Sequence, residues 1–368
     1  MSADPLRIGV VGGGLIAQAV HLPRLAAAPE RFAVAGIADP SPKVAEALAA
    51  RYAPARGYLD WRDLLEREEL DAVAVCSPHS THAEVVLAAL DRDLHAFVEK
   101  PLCIAVEDAE RIAERARAAG LVVQVGYMKR YSDAYAAFIA ALPAADGLRL
   151  VDVVTYDPWM AREPFVPWRD MVQADDVPAS ARAAGAADEA RQVEHAVGRG
   201  DPETVRAFSY TFLACLVHDV NLVHGALDAL GLGAPAEAVA SAAWAGGDAA
   251  AGTLRLPGGG VWQLSWALLR RLLHFEERVT LLFDDGVHEL RFPMPYDAAL
   301  PVAHRVVDTA GGGHRDRTAE HLTDSYAAEL AAFHDCIRGG GQNRTPPEQS
   351  VRDLELLRDL FLATGSPA

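Results

Sequence analysis

Arg7-Ile8-Gly9-Val10-Val11-Gly12-Gly13-Gly14-Leu15-Ile16-Ala17 is the stretch whose reading decides the fold. An apolar run reads as a strand, a glycine cluster follows, and an alanine-rich, mostly apolar segment continues to about Ala28. Gly12-x-Gly14-x-x-Ala17 has the spacing of a dinucleotide-binding turn in its alanine-ended form. In that geometry Gly12 permits the tight turn, Gly14 lets the backbone approach a pyrophosphate, and Ala17 lets helix and strand pack closely. The amides at the helix start, around Leu15 and Ile16, then face phosphate charge. Glycine clusters also serve plain turns, so the next acid in register matters. Phe32–Ala38 reads as a second strand, with Asp39 at its end. A carboxylate there binds ribose hydroxyls and repels a 2'-phosphate. Pro40, Ser41 and Pro42 follow, and Lys43 is the nearest cation in sequence. The expectation is NAD, with NADP less favoured.

A length of 368 residues predicts two domains. The formal charge of -17, from 34 basic and 51 acidic side chains, disfavours nonspecific binding to nucleic acid or an anionic membrane. Cys76, Cys103, Cys215 and Cys336 form neither a CxxC pair nor a metal-finger spacing, so they read as scattered thiols of a reducing compartment, and no metal is expected. The N-terminus lacks a basic segment followed by a sustained apolar run, and no apolar stretch is long enough to span a bilayer. A cytoplasmic location is the expectation. One bias is useful: the chain has three lysines (Lys43, Lys100 and Lys129) against 31 arginines. Where only a cation was wanted, arginine was nearly always used. Lys100 therefore stands out, since lysine is the member of the pair able to cycle its proton near neutral pH.

Strand, glycine or proline turn, and helix alternate through the first third. Asp71–Cys76 is a strand followed by Ser77-Pro78-His79-Ser80-Thr81-His82, with Ser80 or Thr81 expected to cap the next helix. Asp93–Val98 is another strand, ending in Glu99-Lys100-Pro101, and a helix over 108–119 leads to a strand over 121–125. The alternation argues a doubly wound, Rossmann-type domain over residues 1–125. Loops after parallel strands lie on the ligand edge of such a sheet, which puts Glu99-Lys100-Pro101 on the same edge as the glycine turn.

Here the sequence resembles the Gfo/Idh/MocA oxidoreductases. The residues that carry the resemblance are Gly12–Ala17 with His21-Leu22-Pro23, Ser77-Pro78 with His82, and above all Glu99-Lys100-Pro101. It implies that Lys100 contacts substrate near the nicotinamide, that the Lys100–Pro101 bond is cis, and that Lys100 is the first catalytic candidate. Cofactor contacts implied are Gly12, Gly14, Leu15, Ile16, Asp39, Ser77, Pro78, His82 and Glu99. Past the domain junction, Tyr127, Met128, Lys129 and Arg130 lie where the family has an aromatic or glycine followed by an asparagine-arginine type pair. Tyr127 and Arg130 are thereby substrate-binding candidates, while Lys129 departs from the pattern.

Residues 126–345 are expected to form a substrate and oligomerisation domain with a largely antiparallel open sheet, interrupted by an insertion near 160–205. Residues 346–368 are expected to be a helix packing on the domain pair. Strands are predicted at 148–156, 238–244, 252–256, 261–269, 277–283 and 287–292. Trp159, Phe165 and Trp168 in the insertion are candidates for a rim over a sugar, with Trp159 the first, and plain surface insertion is the competing reading. In the helical run 212–224, Ala214, His218 and Asn221 share a face. The family commonly has Asp-x-x-x-His followed by x-x-Asp in this place. His218 matches the histidine, Asn221 stands for the final acid, and the first acid is absent at Ala214. By resemblance His218 is a second catalytic candidate and Asn221 a substrate-binding support.

These readings lead to an expected NAD(H)-dependent dehydrogenase or ketoreductase acting on a carbinol or ketone of a sugar, glycoside or cyclitol, in a homo-oligomer. Two alternatives stay open. One is lyase chemistry such as NAD-assisted glycoside cleavage through a transient keto-sugar. The other is a catalytically inactive nucleotide-binding regulator, suggested by Ala214.

Overall fold

The computed structural model describes residues 4–158, 170–233, 237–297, 299–309 and 312–364. Two compact units make up the chain. The first comprises 1–126, 167–192 and 326–351, and the second 127–166, 193–325 and 352–368.

In the first unit, β1 (Leu6–Val11), β2 (Phe32–Ala38), β3 (Arg56–Tyr58), β4 (Ala72–Val75), β5 (His95–Glu99) and β6 (Val123–Gly126) form one parallel sheet in the order β3-β2-β1-β4-β5-β6. That order reverses between β1 and β4, the switch point at which doubly wound sheets bind dinucleotides. Helices on both faces explain why β4, Ala-Val-Ala-Val, is buried throughout rather than alternating. The core joins Ile8, Val10, Ala17, Leu22, Leu25 and Phe97 to Leu330 and Phe333. Those last two belong to α10 (Ser325–Ile337), so the unit recruits chain from far beyond β6. Ser41 caps α2 (Pro42–Arg51) by accepting the Val44 amide, and Gly120 in the left-handed conformation ends α5 (Val106–Ala119). Thr81 does not cap α4 (His82–Leu90); its hydroxyl donates to the Pro78 carbonyl instead.

The second unit is built on an eight-stranded sheet in the order β14-β13-β12-β11-β7-β10-β9-β8. The strands are β7 (Leu148–Pro158), β8 (Glu237–Trp244), β9 (Ala249–Arg255), β10 (Val261–Leu269), β11 (Glu276–Phe283), β12 (Gly286–Phe292), β13 (Val302–Asp308) and β14 (Arg315–His321). All neighbours are antiparallel except β7 and β10. Alternation along β10 turns Trp262, Leu264, Trp266 and Leu268 inward, under the wide helical turns of Arg206–Leu216 that lead into α9 (Val217–Ala229).

Within the span 126–345, expected to be a substrate domain with an insertion near 160–205, residues 170–192 and 326–345 group with the first unit. Val172 pairs with Gln18, Gln192 donates to the Ser80 carbonyl, and Gln124 donates to the Glu329 carbonyl. Within the insertion, α7 spans Ala179–Val197. The final helix, α11 (Pro347–Ala363), is shared between the units at 351/352.

Candidate functional site

Strand register aligns the chemistry of the first unit. Val11 pairs with Ala38 on one side and Val75 on the other, and Val75 pairs with Val98. The next residue on each strand, Asp39, Gly12, Cys76 and Glu99, therefore forms one row along the carboxyl edge. Lys100 stands one residue beyond that row. With strands about 4.8 Å apart, β5 lies roughly 10 Å from the glycine turn on β1. A dinucleotide laid along this edge covers that span.

Each glycine of the turn has its own reason. Gly12 has φ +94°, and a Cβ there would lie 2.5 Å from the Ser77 amide nitrogen. Only glycine lets the loops after β1 and β4 meet. A Cβ on Gly13 would strike Val44 and Leu48 at 2.6 and 2.8 Å. Gly14 is different, with nothing within 4 Å of the added atom. The open side of the turn is thus where backbone, not side chain, is offered to a ligand, and the arrangement fits a pyrophosphate. The helix beyond starts with the wide turns of Ala17–His21 before α1 (Leu22–Ala27).

Asp39 is buried, and its carboxylate accepts the Gly13 amide at 2.8 Å and the Ser41 amide at 2.9 Å. Burial pushes its pKa up against these amides. The acid thus locks the glycine turn to the end of β2.

Glu99 and His82 turn out to be supports. Glu99 is 6% exposed, and its Oε1 lies 2.6 Å from His21 Nε2. Its Oε2 accepts the Lys100 amide at 3.1 Å, so it orients the residue it precedes. Burial would raise the Glu99 pKa, but the hydrogen bond and charge of His21 bring it below the ordinary value. His82 is 1% exposed, with Nδ1 2.8 Å from the Pro101 carbonyl and Nε2 2.8 Å from the Ser77 carbonyl. It clips the loop after β4 to the loop after β5 and has no face left for a ligand. Burial pushes its pKa down to about 4. The Lys100–Pro101 bond is cis, as the resemblance implies, and Lys100 is partly exposed.

In the second unit the sequence-predicted residues separate. Ala214 and His218 lie on a partly exposed stripe, whereas Asn221 is fully buried. The Asn221 side chain donates to Asp353 at 2.7 Å, and the same aspartate lies 2.6 Å from His224 Nδ1. Arg130 donates to the Asn221 carbonyl at 3.0 Å and stacks over Tyr135. Asn221 is therefore a buried link in an Arg130–Asn221–Asp353–His224 network, not a group open to substrate. The helical-face argument missed this because Asp353 comes from α11, remote in sequence. Tyr127 is 2% exposed. Trp159, with Phe165 and Trp168, lies outside the described residues.

A cluster that sequence reasoning did not assemble lies nearby. Lys129 is ion-paired with Glu277 on β11 and lies 3.9 Å from Asp219, which accepts from Thr155 on β7 at 3.0 Å. Asp219 and Glu277 are both buried, and burial followed by the Glu277 charge drives the Asp219 pKa well up. Two carboxylates share one ammonium, an arrangement that favours holding a proton on the buried Asp219. The scarcity of lysine was the available signal. Among the described residues no group of histidine, cysteine and acidic side chains is arranged to hold a metal, and no helix is long and apolar enough to cross a membrane.

Comparison with known proteins follows the same division. Residues 6–127 match the Gfo/Idh/MocA model, an oxidoreductase family with an NAD-binding Rossmann fold. Inositol 2-dehydrogenase of Paracoccus denitrificans is 40% identical over 148 residues, which cover 40% of this chain and 44% of the relative. The Salmonella typhimurium inositol 2-dehydrogenase is 34% identical over 132 residues, 35% of this chain and 39% of that one. These matches span about two fifths of the curated relatives' length. Solved structures extend the likeness of fold to nearly the whole chain. UDP-N-acetylglucosamine 3-dehydrogenase of Acidithiobacillus ferrooxidans aligns over 98% of both chains at TM-score 0.70 and 20% identity. A 3-ketoreductase of Actinomadura kijaniata, in complex with NADP and TDP-benzene, aligns over 96% of both at TM-score 0.71 and 21% identity. The likeness to the Gfo/Idh/MocA oxidoreductases thus rests on sequence over residues 6–127 and on fold alone beyond them.

Proposed function

We propose that the protein is an NAD(H)-dependent dehydrogenase or ketoreductase acting on a carbinol or ketone carbon of a sugar, glycoside or cyclitol. The observation that carries this reading is the register row that brings Asp39, the glycine turn and Lys100 to one sheet edge. The substrate class is supported by the relatives, which are named inositol dehydrogenases, and by fold neighbours named for nucleotide-sugar dehydrogenation and ketoreduction. When bound, the nicotinamide supplies the hydride acceptor or donor.

The chain's residues do the rest. Amides of the turn at 14–16 hold the pyrophosphate, Asp39 accepts from ribose hydroxyls, and Ser77 and Pro78 line the nucleotide. Lys100 takes the hydroxyl proton during oxidation and returns it to the carbonyl oxygen during reduction. Glu99, His21 and His82 keep the Lys100 backbone in place. His218 orients the reacting oxygen, with Tyr127 and Trp159 contributing to substrate binding. Without an acid at Ala214, Lys100 carries the larger share of the proton transfer. A homo-oligomer is part of this reading, supported by the 51% exposed Val239 and 42% exposed Trp244 on edge strand β8.

The test is a turnover screen of inositols, hexoses, glycosides and nucleotide sugars with NAD+ and NADH, following nicotinamide absorbance, for the wild type and Lys100→Ala. Turnover on a member of this class that Lys100→Ala removes supports the assignment. Equal turnover by both proteins overturns the role of Lys100, and nucleotide binding without turnover on any substrate overturns the enzymatic reading.

A further inference from the structure

We propose that Asp176 is a second determinant of cofactor choice, because its carboxylate occupies the hydrogen-bond donors that an adenosine 2'-phosphate would need. The inference rests on the NAD reading above and extends it to a segment outside the nucleotide-binding motif.

Asp39 places the ribose end of the site at the start of α2, a helix of 10 residues beginning at Pro42. The donors next to it are the Ser41 hydroxyl, the Lys43 amide and the Lys43 ammonium. Each is already engaged by one short stretch of the insertion. The Ser41 hydroxyl donates to Asp176 Oδ1, and the Lys43 amide donates to Asp176 Oδ2 at 3.0 Å. The Lys43 ammonium reaches Asp175 at 2.9 and 3.1 Å. Hydrogen bonding from Ser41 and Lys43 holds the Asp176 pKa below the usual carboxylate range, so the group is ionised at neutral pH.

The stretch is tied down at its other end. Gln18 Oε1 accepts the Val172 amide at 2.9 Å, while Gln18 Nε2 donates to the Val172 carbonyl at 3.0 Å and to the Gly13 carbonyl at 2.7 Å. Residues 172–176 therefore run as a strap from the glycine turn to the start of α2. A phosphate of nearly two negative charges at this place meets Asp39 on one side and Asp176 on the other. The cation nearest in sequence is turned onto Asp175. A 2'-hydroxyl meets no such repulsion and can donate to Asp39.

Calorimetric titration with NAD+ and with NADP+ tests this for the wild type, Asp176→Asn, Asp175→Asn/Asp176→Asn and Asp39→Ser. The wild type is expected to bind NAD+ more tightly than NADP+. Asp176→Asn should tighten NADP+ about tenfold and leave NAD+ within about twofold, and the double variant should tighten NADP+ further by freeing Lys43. The inference is overturned if the ratio of the two dissociation constants stays at its wild-type value in both strap variants while Asp39→Ser moves it. It is equally overturned if both nucleotides shift together, or if the wild type prefers NADP+. Failure of the wild type to bind either nucleotide would instead remove the parent reading, and this inference with it. Melting curves establish that each variant is folded. Asp175→Asn alone, which leaves the Asp176 contacts intact, serves as the second variant and should tighten NADP+ by less than Asp176→Asn.

Discussion

The edge of the nucleotide-binding sheet and the polar interior of the second unit use similar side chains in opposite ways. On the sheet edge, charged groups follow strand ends, and their partners are mostly backbone amides and carbonyls close in sequence or on the adjoining strand. Asp39 with Gly13 and Ser41 is of this kind, and Glu99 combines the Lys100 amide with the His21 ring. In the second unit, charges are sealed inside and satisfy one another: Lys129 with Glu277 and Asp219, and Asp353 with Asn221 and His224. Backbone partners tie a charged group to the turn or strand end it follows. Side-chain partners consume each other and fix packing. The difference separates residues expected to set turnover from residues expected to set stability.

The sharpest break of this contrast is Lys100→Ala. It should lower kcat by about a thousandfold while the NAD+ dissociation constant stays within about twofold; unchanged kcat would move Lys100 to the structural side. Asp353→Ala should act in the reverse sense, lowering unfolding free energy in urea by about 4 kcal/mol because it leaves His224 and Asn221 buried without their shared acceptor. A drop in kcat at unchanged stability would place the Asp353 network in the chemistry.

His82 gives a pH window. Its folded pKa lies below the unfolded value, so the neutral ring stabilises the fold fully above about 6.5, and this is lost as pH falls through about 4. The difference amounts to about 3 kcal/mol. His82→Asn should flatten the fall in stability across that interval, and an unaltered slope would show that the clip does not titrate. Asp219 has the opposite sign. Its folded pKa is raised, so its protonated form stabilises at low pH, and the contribution is lost as pH rises toward the folded value. Asp219→Asn should flatten the loss of stability as pH rises above the ordinary carboxylate value, the smallest of these effects, and an unaltered slope would show that Asp219 does not titrate there.

Legibility followed the range of the interactions. The glycine turn, Asp39 and the Glu99-Lys100-Pro101 corner could be read because parallel strands bring consecutive loops to one edge whatever the rest of the chain does. Strand β7 was legible in its loose apolar alternation, and β8 to β12 as segments set between glycine-rich turns. Strands β13 and β14 were not: β14 is Arg-Asp-Arg-Thr-Ala-Glu-His, almost wholly exposed, and carries no apolar period. Cross-strand pairs such as Arg305 with Asp316 and Arg315 with Asp308 accompany the ladder, and these become visible only after register is known. Asn221 was misread for the same reason, since helical spacing gives a face but not what covers it. The strap of 172–176 joins Gln18 to Val172 across 154 residues, a distance over which local pattern carries no information.

The outer strand β6 has a consequence for how the chain is made. All strands of its sheet have been synthesised by Gly126, yet the exposed side of β6 waits for residues that appear about 220 positions later. Asn343 then donates to the Val123 carbonyl at 2.7 Å, and Thr345 both accepts from the Val125 amide at 3.0 Å and donates to its carbonyl at 2.7 Å. Until that moment a nascent chain presents an open ladder to its neighbours on the ribosome. A truncation that keeps every strand of the sheet but stops before Asn343 should consequently aggregate, even with its nucleotide turn intact.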